Sequence, residues 1–235
     1  MRTTGKSLTS LEDLPRLRSA AVHRLLISRI NDASNDVERI IASAYRVIER
    51  QPDFELKMRD IVDEAGISTQ SFYKLFGSKD EFILILLEHG QVVFERKLSI
   101  ALERAASPLE RITIWIEEVL DQAVDERIAE HIRPFLVHIP RLTATRPADI
   151  EATRATVLEP LTAAVEQATS DASTAHLYAD LIYHTAFSYM HMFVLERRRP
   201  SDDERRGLVD YCLRAIGLDT AVGSASRSSR GKTSR

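Results

Sequence analysis

Apolar side chains recur along this chain at steps of three and four, and no stretch alternates strictly between apolar and polar positions. The first pattern presses one face of an α-helix onto a core, and without the second there is no half-buried sheet to build. The expected fold class is therefore all-α. Gly and Pro number eight each, and most fall between periodic segments, where they end helices. Hydrophobic residues make up 44% of the 235, enough for a sizeable core. No apolar run approaches the ~20 residues a membrane span needs. Met1-Arg2-Thr3-Thr4-Gly5-Lys6 is followed by mixed polar residues instead of an apolar leader, so a cytoplasmic location is expected. Cys212 has no second cysteine to pair with and is expected to be buried as a small hydrophobe.

The periodic segments divide the chain. Leu14, Leu17, Ala21 and Leu25 draw one stripe, which predicts a helix over 11–31 within an N-terminal extension, 1–34. Asn35-Asp36-Val37-Glu38 caps a helix that Pro52 stops. Two short helices follow, at 57–64 and 69–75, closed by Gly66 and Gly77. A long helix is expected from Ser78 to about Ala106, and another from Ser107 to about Val124; Ser78-Lys79-Asp80-Glu81 and Ser107-Pro108-Leu109-Glu110 both read as capping boxes. A helix kinked at Pro134 is expected over 126–139, a loop at Arg146-Pro147, and helices over 148–169 (with a kink at Pro160) and 173–198. Ser201 caps the last, which ends at Gly217; the Ser-, Gly- and Arg-rich remainder, 218–235, is expected to be a disordered basic tail.

The two short helices carry the function. Ile61, Val62 and Ala65 give the first an apolar face, and Ala65 is small enough for a second helix to come close. Gly66 supplies a left-handed backbone position, Ile67 plugs the corner and Ser68 caps the second helix. This is the layout of a helix-turn-helix, whose second helix enters the DNA major groove. Phe72, Leu75 and Phe76 can serve the core, which leaves Thr69, Gln70, Ser71, Tyr73 and Lys74 facing outward. A Gln amide can read adenine, while Ser and Thr hydroxyls reach bases or phosphates. Tyr73 and Lys74 suit phosphate, as do Lys57 and Lys79, the latter in the first turn of a helix whose dipole attracts anions.

From Asn35 to about Leu87 the chain resembles the DNA-binding part of tetracycline-repressor (TetR) family regulators. The resemblance rests on Ile61, Ala65-Gly66-Ile67-Ser68, Phe72-Tyr73, Phe76 and Ser78-Lys79-Asp80-Glu81. Leu56 departs from it, standing where the family often has Thr; Gly77 and Phe82 depart mildly. The resemblance implies a three-helix DNA-binding domain at 35–84 and a helical effector-binding and dimerisation domain at 85–217. It implies a homodimer paired through the helices at 173–198 and 201–217, along Leu177, Leu181, Ala186, Met190, Phe193 and Val194 on one and Leu208, Tyr211, Cys212 and Ile216 on the other. It also implies a ligand pocket, for which Trp115, Val119, Phe135, Tyr183 and Phe187 are the candidate lining. His131, His138, His184 and His191 are candidate polar contacts.

Charge supports a local meeting with a polyanion. Net charge is −3, yet residues 1–34 and 218–235 each carry +3, leaving −9 on the body. Within 35–82 seven basic residues oppose ten acidic ones, so basic Arg2, Lys6 and the helix beyond are expected to help hold DNA. No Gly-rich phosphate loop, Gly-x-Ser-x-Gly elbow or His-Glu-x-x-His is present, and His184 and His191 lie two turns apart, too far for one metal ion. The expectation is a non-enzymatic regulator without metal or cofactor: a repressor released from a palindromic operator in double-stranded DNA by a small lipophilic effector. A regulator of the same fold acting as an activator or through a protein partner is the alternative.

Overall fold

The computed structural model describes residues 34–50, 56–169 and 172–218. The expected helix over 11–31, its basic tip, the stop at Pro52 and the basic tail from 219 lie outside the described residues. The rest is helical, and no described helix is long and apolar enough to cross a membrane.

Helix α1 (Ser34–Arg50) buries Ile40, Ile41, Ala44 and Ile48, a stripe of three- and four-residue steps. It packs on α2 (Met58–Ala65), which returns Ile61, Val62 and Ala65. Gly66 then takes φ 64°, and the N–H groups of Gly66 and Ile67 reach back to Asp63 and Val62. That doubly bonded stop satisfies helix-end carbonyls and turns the chain sharply. Ser68 accepts from Ser71 N–H at 3.0 Å and opens α3 (Thr69–Phe76). Phe72, Phe76 and Phe82 meet with ring centroids 4.7–5.0 Å apart, bolting α3 to α4 (Lys79–Leu102). Between α3 and α4, Gly77 has φ 71°, a backbone conformation that side-chain-bearing residues rarely adopt and glycine adopts freely.

The second half comprises α5 (Pro108–Val124), α6 (Glu126–Leu136), α7 (Ile139–Thr145), α8 (Pro147–Ala168), α9 (Ala172–Glu196) and α10 (Asp202–Ala215). α5, α8 and α9 pack mutually around Trp115, Val119, Val157, Leu161 and Ala186. A separate buried cluster unites α1–α4 with Phe135 and Leu142 from α6 and α7. α4 belongs to both clusters, with Phe82 to Val92 in one and Phe94 to Leu102 in the other.

Three details differ from expectation. α4 ends at Leu102, four residues early, because Ala106 N–H is taken by the Glu110 carboxylate (2.8 Å) and Ser107, preceding Pro108, must be extended. The kinked helix expected over 126–139 ends at Leu136, just past Pro134, and a further helix that was not expected, α7, follows from Ile139 with Pro140 in its first turn. The reciprocal boxes expected at Ser78 and Ser107 are one-sided. Each hydroxyl accepts its N3 amide at 3.1 Å, but Glu81 turns to Arg146 and Glu110 to Ala106. Ser201 and Glu204 do form the full box.

Candidate nucleic-acid interface

With Phe72 and Phe76 buried at 0% and 1%, the polar side of α3 is turned outward. Ser68, Thr69, Gln70, Ser71, Tyr73 and Lys74 are all exposed, as is Lys57 ahead of α2. The Ser68 and Ser71 hydroxyls lie 2.9 Å apart, so both are pre-positioned by the cap. The Tyr73 ring stands edge-on to Phe72, which steadies its solvent-facing hydroxyl. Leu75 is half-buried, between the two sets. Leu56 is 3% exposed and belongs to the core, so this position offers packing in place of a phosphate-binding hydroxyl.

Cations on α1 and α2 are mostly engaged. Arg46 and Arg50 hold Glu64, Arg39 holds Asp36 and Arg59 lies 3.8 Å from Asp63. Lys57, Lys74 and half-buried Lys79 stand outside those pairs. At the head of α4, Asp80 and Glu81 would repel phosphate, but Arg141 (2.9 Å) and Arg146 (2.8 Å) of the α7 segment neutralise them. Lys79 and the N-terminal turn of α4 thus stand beside carboxylates that are already paired, which lessens their opposition to an anion.

Behind this interface lies a cavity of about 220 Å³. Leu86, Val93 and Phe94 of α4, Ile132 and Phe135 of α6 and Phe187 and Met190 of α9 line it, together with Tyr45 of α1. Tyr45 O–H donates to the Leu86 carbonyl at 3.2 Å and sits 3.2 Å from His89 Nδ1. His131 stacks near Tyr45 (5.3 Å) and hydrogen-bonds Glu49 at 3.2 Å, which also accepts from Arg127. Burial pushes the Tyr45 phenol far up and holds His131 below its usual value despite Glu49; burial also lowers His191, to about 4. These groups present neutral polar atoms at physiological pH.

Of the expected lining, Phe135 and Phe187 reach this cavity; Trp115, Val119 and Tyr183 do not. Trp115 is fully buried with Nε1–H donating to Val157 O at 2.9 Å, which turns it toward α8. Val119 is likewise sealed in the α5–α8–α9 core. Tyr183 rests on Trp115 with Arg154 5.6 Å over its ring. His131 and His191 line the cavity; His138 and His184 do not. Tyr45, His89 and Gln122 were invisible as lining residues in the sequence, because nothing local links a helix at 34–50 with one at 126–136. Among the described residues, no group of three His, Cys, Asp or Glu can hold a metal ion.

On α9 and α10 the expected seam divides. Ala186, Met190, Phe193, Val194, Leu208, Cys212 and Ile216 are core within the chain itself. Leu177, Leu181 and Tyr211 are exposed at 57%, 55% and 64%, joined by Leu195.

Residues 40–85 match the model of a family described as bacterial regulatory proteins, tetR family. The chain is similar to the HTH-type transcriptional regulator BetI of Brucella abortus (strain 2308), 32% identical over 101 residues, which are 42% of this chain and 50% of that protein. It is similar to the BetI regulator of Brucella anthropi, 30% identical over 109 residues (46% and 56%), and to that of Brucella melitensis biotype 2, 32% identical over 101 residues (42% and 50%). The chain thus spans about half the length of the curated relatives it matches.

Proposed function

Since residues 40–85 are a DNA-binding domain of the tetR family of bacterial transcription regulators, we propose that the chain is a repressor that holds a palindromic operator as a homodimer and leaves it when a small lipophilic effector binds. The carrying observation is the outer face of α3, where five consecutive-turn polar side chains stand exposed over a wedge of three packed phenylalanines. Gln70 and Ser71 read base edges; Tyr73, Lys74, Lys57 and Lys79 take phosphates. The dimer joins through the exposed faces of α9 and α10.

Release works through α4, the helix common to both buried clusters. Its head is clamped by Arg141 and Arg146, and its middle forms one wall of the cavity. An effector that fits a state with α4 displaced changes the spacing of the two recognition helices, which must enter grooves about 34–36 Å apart. Such a ligand weakens DNA binding by its differential affinity for the two states.

The test is selection of binding sites from random duplex DNA with the full chain. The expected product is a palindrome with half-sites about one helical turn apart. Enrichment of no sequence over the starting pool overturns the proposal.

A further inference from the structure

We infer that the cavity between α1, α4, α6 and α9 is a site for a neutral, mainly apolar small molecule bearing one hydrogen-bonding group, and that this group docks against Tyr45, a side chain of the DNA-binding domain itself. The ligand class stands on the lining alone; its consequence for DNA rests on the regulatory reading above.

The lining separates into an apolar barrel and a polar end. Leu86, Val93, Phe94, Ile132, Phe135 and Phe187 form the barrel. Tyr45, His89 and His131 gather at one end, with Tyr45 ring centroids 5.5 Å and 5.3 Å from the two imidazoles. No carboxylate is among the lining side chains, and those just behind it are engaged, Glu49 by Arg127 and His131 and Glu118 by Lys97, so a cation would have to win one of them. The lining includes one ammonium, Lys97, whose Nζ lies 2.9 Å from Glu118 and 3.7 Å from Asp121. An anion would have to win it from those two carboxylates. Burial keeps His131 and His191 neutral, so they offer no charge either. Charged ligands would lose their hydration without recovering it, and a neutral one avoids that cost.

The polar end is loosely satisfied. Tyr45 O–H donates to the Leu86 carbonyl at 3.2 Å, longer than the ~2.7–2.8 Å usual between oxygens, and its oxygen lies 3.2 Å from His89 Nδ1. A ligand oxygen can therefore take this hydroxyl without breaking a strong bond. The way in passes Gly90, which is exposed yet lines the cavity; a Cβ there would stand 3.9 Å from the Tyr45 oxygen. Because Tyr45 lies on α1 and the opposite wall on α4 and α6, an occupant touches α1 of the DNA-binding domain directly.

The experiment is calorimetric titration of the DNA-free full chain with four probes sharing one naphthyl body: naphthalene, 1-naphthol, 1-naphthoate and (1-naphthylmethyl)trimethylammonium. The first two should bind, and the two charged probes at least about tenfold more weakly. Tyr45→Phe should weaken 1-naphthol by about two- to tenfold, the worth of one hydrogen bond, and leave naphthalene within about twofold. Gly90→Leu, which suits a helix better than glycine, should weaken every probe by closing the mouth. A charged probe binding as tightly as 1-naphthol, or equal losses for naphthalene and 1-naphthol in Tyr45→Phe, overturns the inference; so does binding of none. Should Tyr45→Phe fail to fold, the ranking of probes on the unaltered chain still decides. All readouts are free of DNA, so failure here leaves operator binding untouched, and failure to select an operator leaves this result standing.

Discussion

Gln70 occupies the second position of α3, exposed beside a cap that fixes its neighbours, so its amide can approach a base edge. In the proposed docking Tyr73 and Lys79 lie at the flanks, where a duplex would present its backbone. The two kinds of contact predict different losses. Gln70→Ala should change preference at one or two base positions, at about 1–3 kcal/mol for the affected pair. Tyr73→Ala and Lys79→Ala should weaken every sequence alike, and Lys79→Ala should flatten the salt dependence by about one unit of slope. Competition binding on a panel of single-base variants of the selected site, at several salt concentrations, separates them; unchanged profiles in all three variants refute the proposed docking. That Gln70 and Tyr73 face outward was legible because turn chemistry is local: Gly66, Ser68 and the Phe72–Phe76 pair fix a face within fifteen residues. Tyr45 was not readable. Its apolar step in α1 marks it as core, and only the packing of α4 and α6 against α1 reveals its hydroxyl meeting His89, 44 residues away.

At the scale of the helix, caps decided most boundaries, and side-chain competition decided the rest. Ser–x–x–Glu occurs at 78–81, 107–110 and 201–204, yet the box closes fully at the last, since Glu81 is drawn to Arg146 and Glu110 to the Ala106 amide. Those partners are tertiary or one residue off, which a motif does not encode. α7 was missed for a similar reason: seven residues carry too little periodicity to distinguish a short helix from a loop. The closed box makes a pH prediction. Hydrogen bonds from Ser201 and Arg198 hold the Glu204 carboxyl at about 2, against an ordinary 4.5. A carboxyl depressed on folding stabilises fully above its unfolded value and loses that contribution as pH falls through its folded one. Glu204→Gln should therefore be less stable than the parent above pH 4.5, and the difference should shrink as pH falls from 4.5 toward about 2. Urea unfolding of both proteins across that range is the measurement; a gap independent of pH would show that the charge is not what matters.

At the scale of the whole molecule, the exposed side of α9 holds three of the exposed large hydrophobics among the described residues, Leu177, Leu181 and Leu195. Leu177, Leu181, His184, Ser188 and Leu195 follow at steps of three, four and seven, all exposed, and Tyr211 of α10 extends the patch at 64% exposure. Gly207, one turn before Tyr211, has open space where a Cβ would stand, which lets another helix approach closely. Two helices per subunit meeting across a two-fold axis would cover this surface as a four-helix bundle. Of the seam residues expected on these helices, Met190, Phe193 and Cys212 face inward instead, because the chain's own α5 and α8 claim that side. Amphipathic periodicity cannot apportion two apolar faces between self and partner. The exposed set carries the prediction. In a two-fold interface each substitution counts twice, so Leu181→Glu forfeits two buried leucines, about 3–6 kcal/mol at 1.5–3 kcal/mol each. That is at least a hundredfold in the dimer constant, at about 1.4 kcal/mol per tenfold. Being exposed in the single chain, Leu181 can change without opening a cavity, so the melting of the isolated subunit should hold. Sedimentation should show dimer for the parent and monomer for Leu181→Glu at the same micromolar loading, and the monomer should grip a single half-site and lose most of its operator affinity. If Leu181→Glu stays dimeric, the two recognition helices are brought to their grooves by some other surface.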